Sequence, residues 1–305
     1  MTPLVEALEQ LGSRIASRDG GLPVDIEGRR LAGGSTRIRP EVSSQFVTSL
    51  LLAAPLMERG LEIDVVGPIP SRPYLDLTLQ VLLHFGATIE TVDARRWRVA
   101  PGGLRPTVFA VEGDWSAAAF LAAAVAVAGG RVEVGPLSAD SRQGDRSVCE
   151  ILQRAGLDFE FGGATLEISG SVNRPVRAEL SDTPDLFPAL CVVAASAPAG
   201  SVLRGLEHLK HKESDRLTVM RDNLERLGAR FELDKGELRV VRSIRRDGPG
   251  GVVVTAAGDH RIAMAMAVAA LASGPIVLDD DRCVSKSFPR FWETWASLVQ
   301  DRDRM

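Results

Sequence analysis

The sequence predicts an α/β fold built from one repeated element, and two landmarks with a common period predict it. Polar helix starts recur at Ser43-Ser44-Gln45, Asp114-Trp115-Ser116, Asp185-Leu186 and Asp259-His260-Arg261, spaced 71, 71 and 74 residues apart. Glycines ending a second helix recur in Leu11-Gly12-Ser13, Phe85-Gly86-Ala87, Ala155-Gly156-Leu157 and Leu227-Gly228-Ala229, at intervals of 74, 70 and 72. Glycine just past a helix is the common left-handed cap. Helix lengths in unrelated α/β segments vary widely, so a shared period marks an internal repeat.

Each repeat reads as an apolar Ala/Leu/Val helix led by a β-branched strand, a second strand and helix, then a Gly turn into more strands. Gly251-Val252-Val253-Val254-Thr255 shows the leading strand. Residues 1–11 read as a second helix, with Leu4, Val5, Leu8 and Leu11 on one face, so the chain starts in mid-unit. One unit follows at about 38–110, and three come after residue 110. The helices beginning at Ala117 and Ile262 are core, because small side chains let helices approach closely inside a domain. Pro101-Gly102-Gly103-Leu104-Arg105-Pro106 interrupts both periodicities and reads as a linker between residues 1–110 and 111–305. A length of 305 residues suits two domains.

Composition excludes several classes. With 36 basic and 40 acidic side chains, a net charge of −4 and 45% apolar residues, the chain is neither disordered nor a general electrostatic binder of nucleic acid. The apolar run Ala117 to Ala128 falls short of the ~18 residues that span a bilayer. Met1-Thr2-Pro3-Leu4-Val5-Glu6 carries an acid where a signal peptide carries bases, which points to a cytoplasmic protein. Cys149, Cys191 and Cys283 are scattered, with no CxxC spacing, and read as core thiols rather than a disulfide framework or a zinc site. Lysine occurs only at Lys210, Lys212, Lys235 and Lys286 in a chain that otherwise uses arginine. A compact point charge has been kept at these positions.

Cations at helix amino termini are mildly destabilising unless an anion binds there. Here Lys210-His211-Lys212 precedes a helix beginning near Glu213-Ser214-Asp215-Arg216, and His260-Arg261 opens another. Lys286-Ser287 precedes one with Pro289 in its first turn, and Ser43 and Ser44 add hydroxyl donors at a fourth start. The pattern points to a polyanionic ligand on convergent helix ends. Plainer readings exist: Ser43, Asp114, Asp185 and Asp259 suit simple N-caps. The Lys210–Lys212 turn suits a solvated loop neutralised by Glu213 and Asp215. His84, on an apolar helix, suits packing or surface.

Together these motifs resemble the 3-phosphoshikimate 1-carboxyvinyltransferase (5-enolpyruvylshikimate-3-phosphate synthase) family. The stretches are Ser43-Ser44-Gln45-Phe46, Ser71-Arg72-Pro73-Tyr74-Leu75-Asp76, Glu112-Gly113-Asp114, Thr183-Pro184-Asp185, Lys212-Glu213-Ser214-Asp215-Arg216, Asp259-His260-Arg261-Ile262-Ala263-Met264 and Lys286-Ser287-Phe288-Pro289. The resemblance implies two inside-out domains of βαβαββ units, helices inside and strands outside. The first domain would be incomplete, with roughly 107 residues absent at the amino terminus. That part would carry the family's Lys-Ser pair, Asn-Ala-Gly-Thr loop and Arg-Pro arginine, and a separate amino-terminal fragment in trans is one source of it.

The resemblance also implies the chemistry. The enolpyruvyl group of phosphoenolpyruvate passes to the 5-hydroxyl of shikimate 3-phosphate with release of phosphate, a step of aromatic amino-acid and chorismate biosynthesis. No metal or organic cofactor is called for. By similarity Asp185 is the proton acceptor and Glu213 the donor. Ser43, Ser44, Gln45, Ser71, Tyr74, Asp185, His208 and Lys212 match the shikimate 3-phosphate site, His208 standing where the family usually has asparagine. Gln45, Arg216, His260, Arg261 and Lys286 match the phosphoenolpyruvate site. The competing expectations are an inactive or partner-dependent fragment, and an elimination enzyme on a shikimate-like ring that does not use phosphoenolpyruvate.

Overall fold

The structure is a computed structural model that describes residues 1–18, 20–40, 43–245 and 251–302. The chain forms two compact units, Met1–Val111 with Arg142–Gly144, and Glu112–Ser141 with Asp145–Met305. Among the described residues no helix is long and apolar enough to cross a membrane.

The first unit begins with helix α1 (Thr2–Gln10) and an antiparallel hairpin, β1 (Arg14–Arg18) and β2 (Gly21–Glu27). One whole repeat follows: β3 (Gly34–Ile38), α2 (Gln45–Ala53), β4 (Leu61–Val65), α3 (Arg72–His84), β5 (Ile89–Asp93) and β6 (Arg96–Val99). Its sheet runs β3-β4-β6-β5, with β3 parallel to β4 and the other pairings antiparallel. Strand β4 alternates as its sequence demands, Leu61, Ile63 and Val65 buried and Glu62 and Asp64 outward. The outer edge of β3 is capped by α1: the Gln10 amide accepts from the Arg37 N–H at 2.8 Å and donates to its carbonyl at 3.0 Å, replacing a neighbouring strand. Gly60, at φ +67, turns the chain into β4 where a Cβ would stand 2.1 Å from the Val99 carbonyl oxygen.

In the second unit, α4 (Trp115–Ala128), β7 (Arg131–Val134), α5 (Val148–Ala155), β8 (Leu157–Gly162) and β9 (Thr165–Gly170) come first. A second whole repeat follows: β10 (Arg177–Glu179), α6 (Phe187–Ser196), β11 (Val202–Arg204), α7 (Arg216–Arg226), β12 (Arg230–Asp234) and β13 (Glu237–Arg242). The last elements are β14 (Val252–Val254), α8 (His260–Ser273), β15 (Ile276–Leu278) and α9 (Phe291–Arg302). The sheet β10-β11-β13-β12 repeats the order and directions of β3-β4-β6-β5. The flanking sheets are smaller, β7-β9-β8 and the parallel pair β14-β15. Among the described residues the unit therefore shows one full copy of the pattern and two partial ones, where three were expected. The stretch leading into α4 forms no strand, and the described chain ends at α9.

The inside-out layering is a matter of side-chain size. Helices α4, α6 and α8 pack on one another and are buried nearly all round; Phe187 through Ala195 are all inaccessible. Alanine-rich faces permit such close approach, and a helix apolar on every side must be interior. Helix α5 shows the contrast: Val148, Ile151, Leu152 and Ala155 form a single buried stripe at helical spacing. The glycines read as caps adopt positive φ at Gly12, Gly86, Gly156 and Gly228.

Three details differ from expectation. Pro289 precedes α9 instead of lying in its first turn; the helix begins at Phe291, fully buried and ringed by Phe288, Trp292 and Trp295. Of the thiols only Cys191 is buried; Cys149 and Cys283 are half-buried, and all three are free. The buried residue of α1 is Ala7, flanked by Leu4 and Leu8. His84 is exposed and meets the Val108 carbonyl and the rings of Phe85 and Phe109, as its surface reading requires.

The buried Asn223 amide ties α7 to the end of β14, donating to the Thr255 carbonyl at 2.8 Å and accepting its N–H at 3.1 Å. Replacing it with alanine orphans both backbone groups, so Asn223→Ala is expected to lower unfolding free energy by about 2–4 kcal/mol. Urea titration at neutral pH measures this, and a loss within error of zero would contradict the assigned role.

Candidate active site

Four segments of the second unit present chemistry to one another. Helix α8 is N-capped by Asp259, whose Oδ1 accepts the Arg261 N–H at 3.0 Å. Helix α7 is capped by Asp215 through the Thr218 N–H at 3.1 Å. Asp185 sits on a 3-10 turn, Pro184–Leu186, leading into α6, and Lys286 ends another, Arg282–Lys286. Capping thus fixes the backbone on which the cations stand.

Arg216, first residue of α7, is 2% exposed and carries two carboxylates. Its Nε donates to Asp259 Oδ2 at 2.7 Å and its Nη1 to Asp185 Oδ1 at 2.6 Å. The Ser214 hydroxyl adds a bond to Asp259 Oδ2 at 3.2 Å. The other oxygen of Asp185 meets Arg261 Nη2 at 3.0 Å. Burial alone would raise the Asp185 pKa, but Arg261, then Arg216 and its hydrogen bond, then Lys212 outweigh it and hold the carboxyl at about 2. Burial lowers the proton affinity of Arg216, yet its bonds to Asp259 and the charges of both aspartates carry it above the ordinary value. Burial also lowers that of Lys212, against the pull of Asp185.

A second pairing lies one residue along α8. His260 Nδ1 is 3.0 Å from Glu213 Oε2, and Lys286 Nζ is 2.5 Å from Glu213 Oε1. Burial pushes the His260 pKa down, with Glu213 opposing. A neutral imidazole with its proton on Nδ1 therefore donates to Glu213. Adjacent residues of one helix, His260 and Arg261, thus hold different carboxylates. Burial, then Lys212, lowers the His208 pKa, and its Nε2 is a buried nitrogen without a hydrogen-bond partner among the described residues.

Glu213, Asp259 and His260 bring donor atoms within 4.8 Å of one another, a spacing that would suit a metal. Lys286 and Arg216 already occupy those carboxylates, so the trio is a charge-paired cluster instead. Lys212, Arg216, Arg261 and Lys286 thus gather with the carboxyls of Asp185, Glu213, Asp259 and buried Asp145 in one field of charge.

In the first unit the sequence-selected residues stand at two helix amino termini. Ser43 accepts the Gln45 N–H at 3.2 Å, buried Ser44 stands at the N-cap position of α2 without a side-chain capping bond, and Gln45 is exposed at its first position. Ser71, buried and at φ +53, stands at the N-cap position of α3 without a side-chain capping bond, with Tyr74 partly exposed in that helix's first turn. Sequence reading assigned Asp259 only as a cap and missed that it also anchors Arg216. Its place beside His260-Arg261 was the available signal. It placed Ser214 in the Lys212–Arg216 motif without giving it a role, and it did not single out buried Asp145.

The fold and the site define a class: a repeated α/β enzyme whose second unit gathers cations and carboxylates at the starts of its helices. The EPSP synthase (3-phosphoshikimate 1-carboxyvinyltransferase) family model matches residues 1–295, and the chain belongs to that family. It is 41% identical over 296 residues to the 3-phosphoshikimate 1-carboxyvinyltransferase of Methanoculleus marisnigri, covering 95% of this chain and 69% of that protein. It is 41% identical over 300 residues to that of Aeropyrum pernix, covering 97% and 68%. The EPSP synthase structure from Acinetobacter baumannii superposes with a TM-score of 0.71 at 29% identity, over 96% of this chain and 69% of that one. The enolpyruvyl transferase NikO from Streptomyces tendae shares the fold at a TM-score of 0.75 and 19% identity, over 97% and 70%.

Because the folded pKa of Asp185 lies near 2 against an ordinary 3.8, its ionised form contributes stability that is present above pH 4 and lost as pH falls toward 2. The contribution is about 2 kcal/mol. Asp185→Asn is expected to be less stable than the parent at pH 6 and to converge with it near pH 2, read from urea midpoints. A constant difference across that range would exclude the linkage. Arg216→Lys loses the forked contact to both aspartates and is expected to cost about 3–5 kcal/mol in the same measurement at neutral pH.

Proposed function

We propose that the chain transfers the enolpyruvyl group of phosphoenolpyruvate to the 5-hydroxyl of shikimate 3-phosphate and releases phosphate. Family membership supports the reaction, and one geometric observation supports the residue roles: each of two carboxylates, Asp185 and Glu213, is held by a pair of partners that an anionic substrate would engage.

Addition of the hydroxyl to the enol carbon needs a base at that hydroxyl and an acid at the methylene carbon; elimination of phosphate reverses the demand. Asp185 takes the hydroxyl proton and Glu213 protonates the methylene. With its arginines in place Asp185 is a weak base. Phosphate and carboxylate groups arriving at Arg216 and Arg261 compete for those guanidinium groups and raise its proton affinity. The carboxylate of phosphoenolpyruvate engages Lys286, and His260 orients the Glu213 carboxyl. The clamp then faces the charge that develops at the departing phosphate. Ser43, Ser44, Gln45, Ser71, Tyr74, His208 and Lys212 are the shikimate 3-phosphate contacts of this reading, with Gln45 shared between the substrates.

The relatives extend beyond the matched region, and an amino-terminal fragment in trans would supply further contacts. A cytoplasmic location accords with three free thiols. The clustering of Arg216, Arg261 and Lys286 around the two carboxylates favours transfer over an elimination that uses no phosphoenolpyruvate.

Phosphate release from phosphoenolpyruvate plus shikimate 3-phosphate tests the reading. Asp185→Ala and Glu213→Ala are each expected to lose roughly 100- to 10,000-fold in kcat. Equal rates for the parent and both variants would remove the assigned roles.

A further inference from the structure

Asp145 lies on a 3-10 turn, Gly144–Ser147, and is 3% exposed. Its Oδ2 accepts the hydroxyl of Ser116, in the first turn of α4. Its Oδ1 is buried with no hydrogen-bond partner, and no cation pairs with it, among the described residues. A buried carboxyl with an open oxygen costs stability, and packing gives no return for it. Its surroundings do supply a reason. Helix α4 packs against the turn that carries Asp185 and against α8, whose first turn carries Arg261.

We propose that Asp145 is a positioning residue for Asp185: a buried carboxyl, anchored by Ser116, that supplies or withholds a second negative charge beside the Asp185–Arg261 pair and so sets how readily Asp185 takes up a proton. The proposal rests on the reading of Asp185 as the proton acceptor. The charged groups that act on Asp145 come from each neighbouring element: Asp185 before α6, Arg261 on α8, Asp114 at the cap of α4 and Lys212 before α7. Burial, then the charge of Asp185, raises its pKa to about 6, against the Ser116 hydrogen bond and Arg261. Below pH 6 Asp145 holds its proton and Asp185 stays a weak base between its arginines. Above it, two negative charges share the site and Asp185 binds a proton more tightly. An anionic substrate that draws Arg261 away strengthens the same coupling.

Asp145→Asn preserves the shape and fixes the neutral state. In the parent chain, kcat/KM for phosphate release is expected to rise through a limb centred near pH 6. In the Asn variant that limb disappears and the rate at pH 8 is roughly tenfold lower. Ser116→Ala removes the bond that favours the charged form, so its limb moves to higher pH. Carboxyl-carbon NMR gives a readout independent of turnover: the resonance lost in Asp145→Asn titrates near pH 6 in the parent and at lower pH in Asp185→Asn. A raised carboxyl pKa destabilises the fold above its ordinary value, so Asp145→Asn also melts higher than the parent at pH 8 and equally at pH 3. A limb that persists in Asp145→Asn, or an Asp145 midpoint unmoved by Asp185→Asn, overturns the proposal. If the chain alone turns over nothing, that result bears on the proposed function, and the carboxyl titration decides this one.

Discussion

A guanidinium buried between two carboxylates is the constraint on which the second unit depends. Arg216 cannot be 2% exposed unless both of its faces are answered, because an uncompensated buried charge costs several kcal/mol. Asp259 and Asp185 answer it, and each is delivered by a different element, the cap of α8 and the turn before α6. The start of α7, the start of α8 and the entry to α6 are therefore held in one arrangement before any ligand arrives. The tight interior packing of α6 and α8 makes that arrangement rigid, since alanine-rich helices leave little room for one to slide past another.

This preorganisation has an electrostatic cost that becomes useful on binding. The cations that position Asp185 also suppress its basicity, so that carboxylate is a weak base in the free chain. Under the proposed function, a ligand carrying phosphate and carboxylate groups offers those cations alternative partners and so frees Asp185 to take up a proton. Asp145 belongs to the same field, a further carboxyl whose charge state is set by burial first and then by Asp185, the Ser116 hydrogen bond and Arg261. The site is thus a set of charges in which each carboxyl feels its neighbours' state.

Much of the fold was legible in the sequence because it repeats. A period near 71 residues, marked by helix starts and capping glycines, reflects one backbone pattern used several times, and β3-β4-β6-β5 and β10-β11-β13-β12 bear it out in identical strand order. Where the repeat is partial, in β7-β9-β8 and β14-β15, periodicity gave no warning, because a helix of the right composition is present whether or not a strand pairs beside it. The start of α9 was misjudged for a similar reason. Proline suits a first turn locally, but the tertiary anchor of the helix is Phe291.

Residue type and spacing by themselves determined the α/β repeat, the buried alanine-rich helices and the presence of cations at helix amino termini. These are local properties, set by backbone propensity and by the period at which apolar side chains recur. Only the tertiary structure decided which carboxylate each cation meets: that Arg216 joins Asp185 to Asp259 across 31 and 43 residues of chain, and that neighbouring His260 and Arg261 divide between Glu213 and Asp185. Coulomb interactions act through space and depend on burial, and neither separation nor dielectric surroundings can be read along a chain before it is folded.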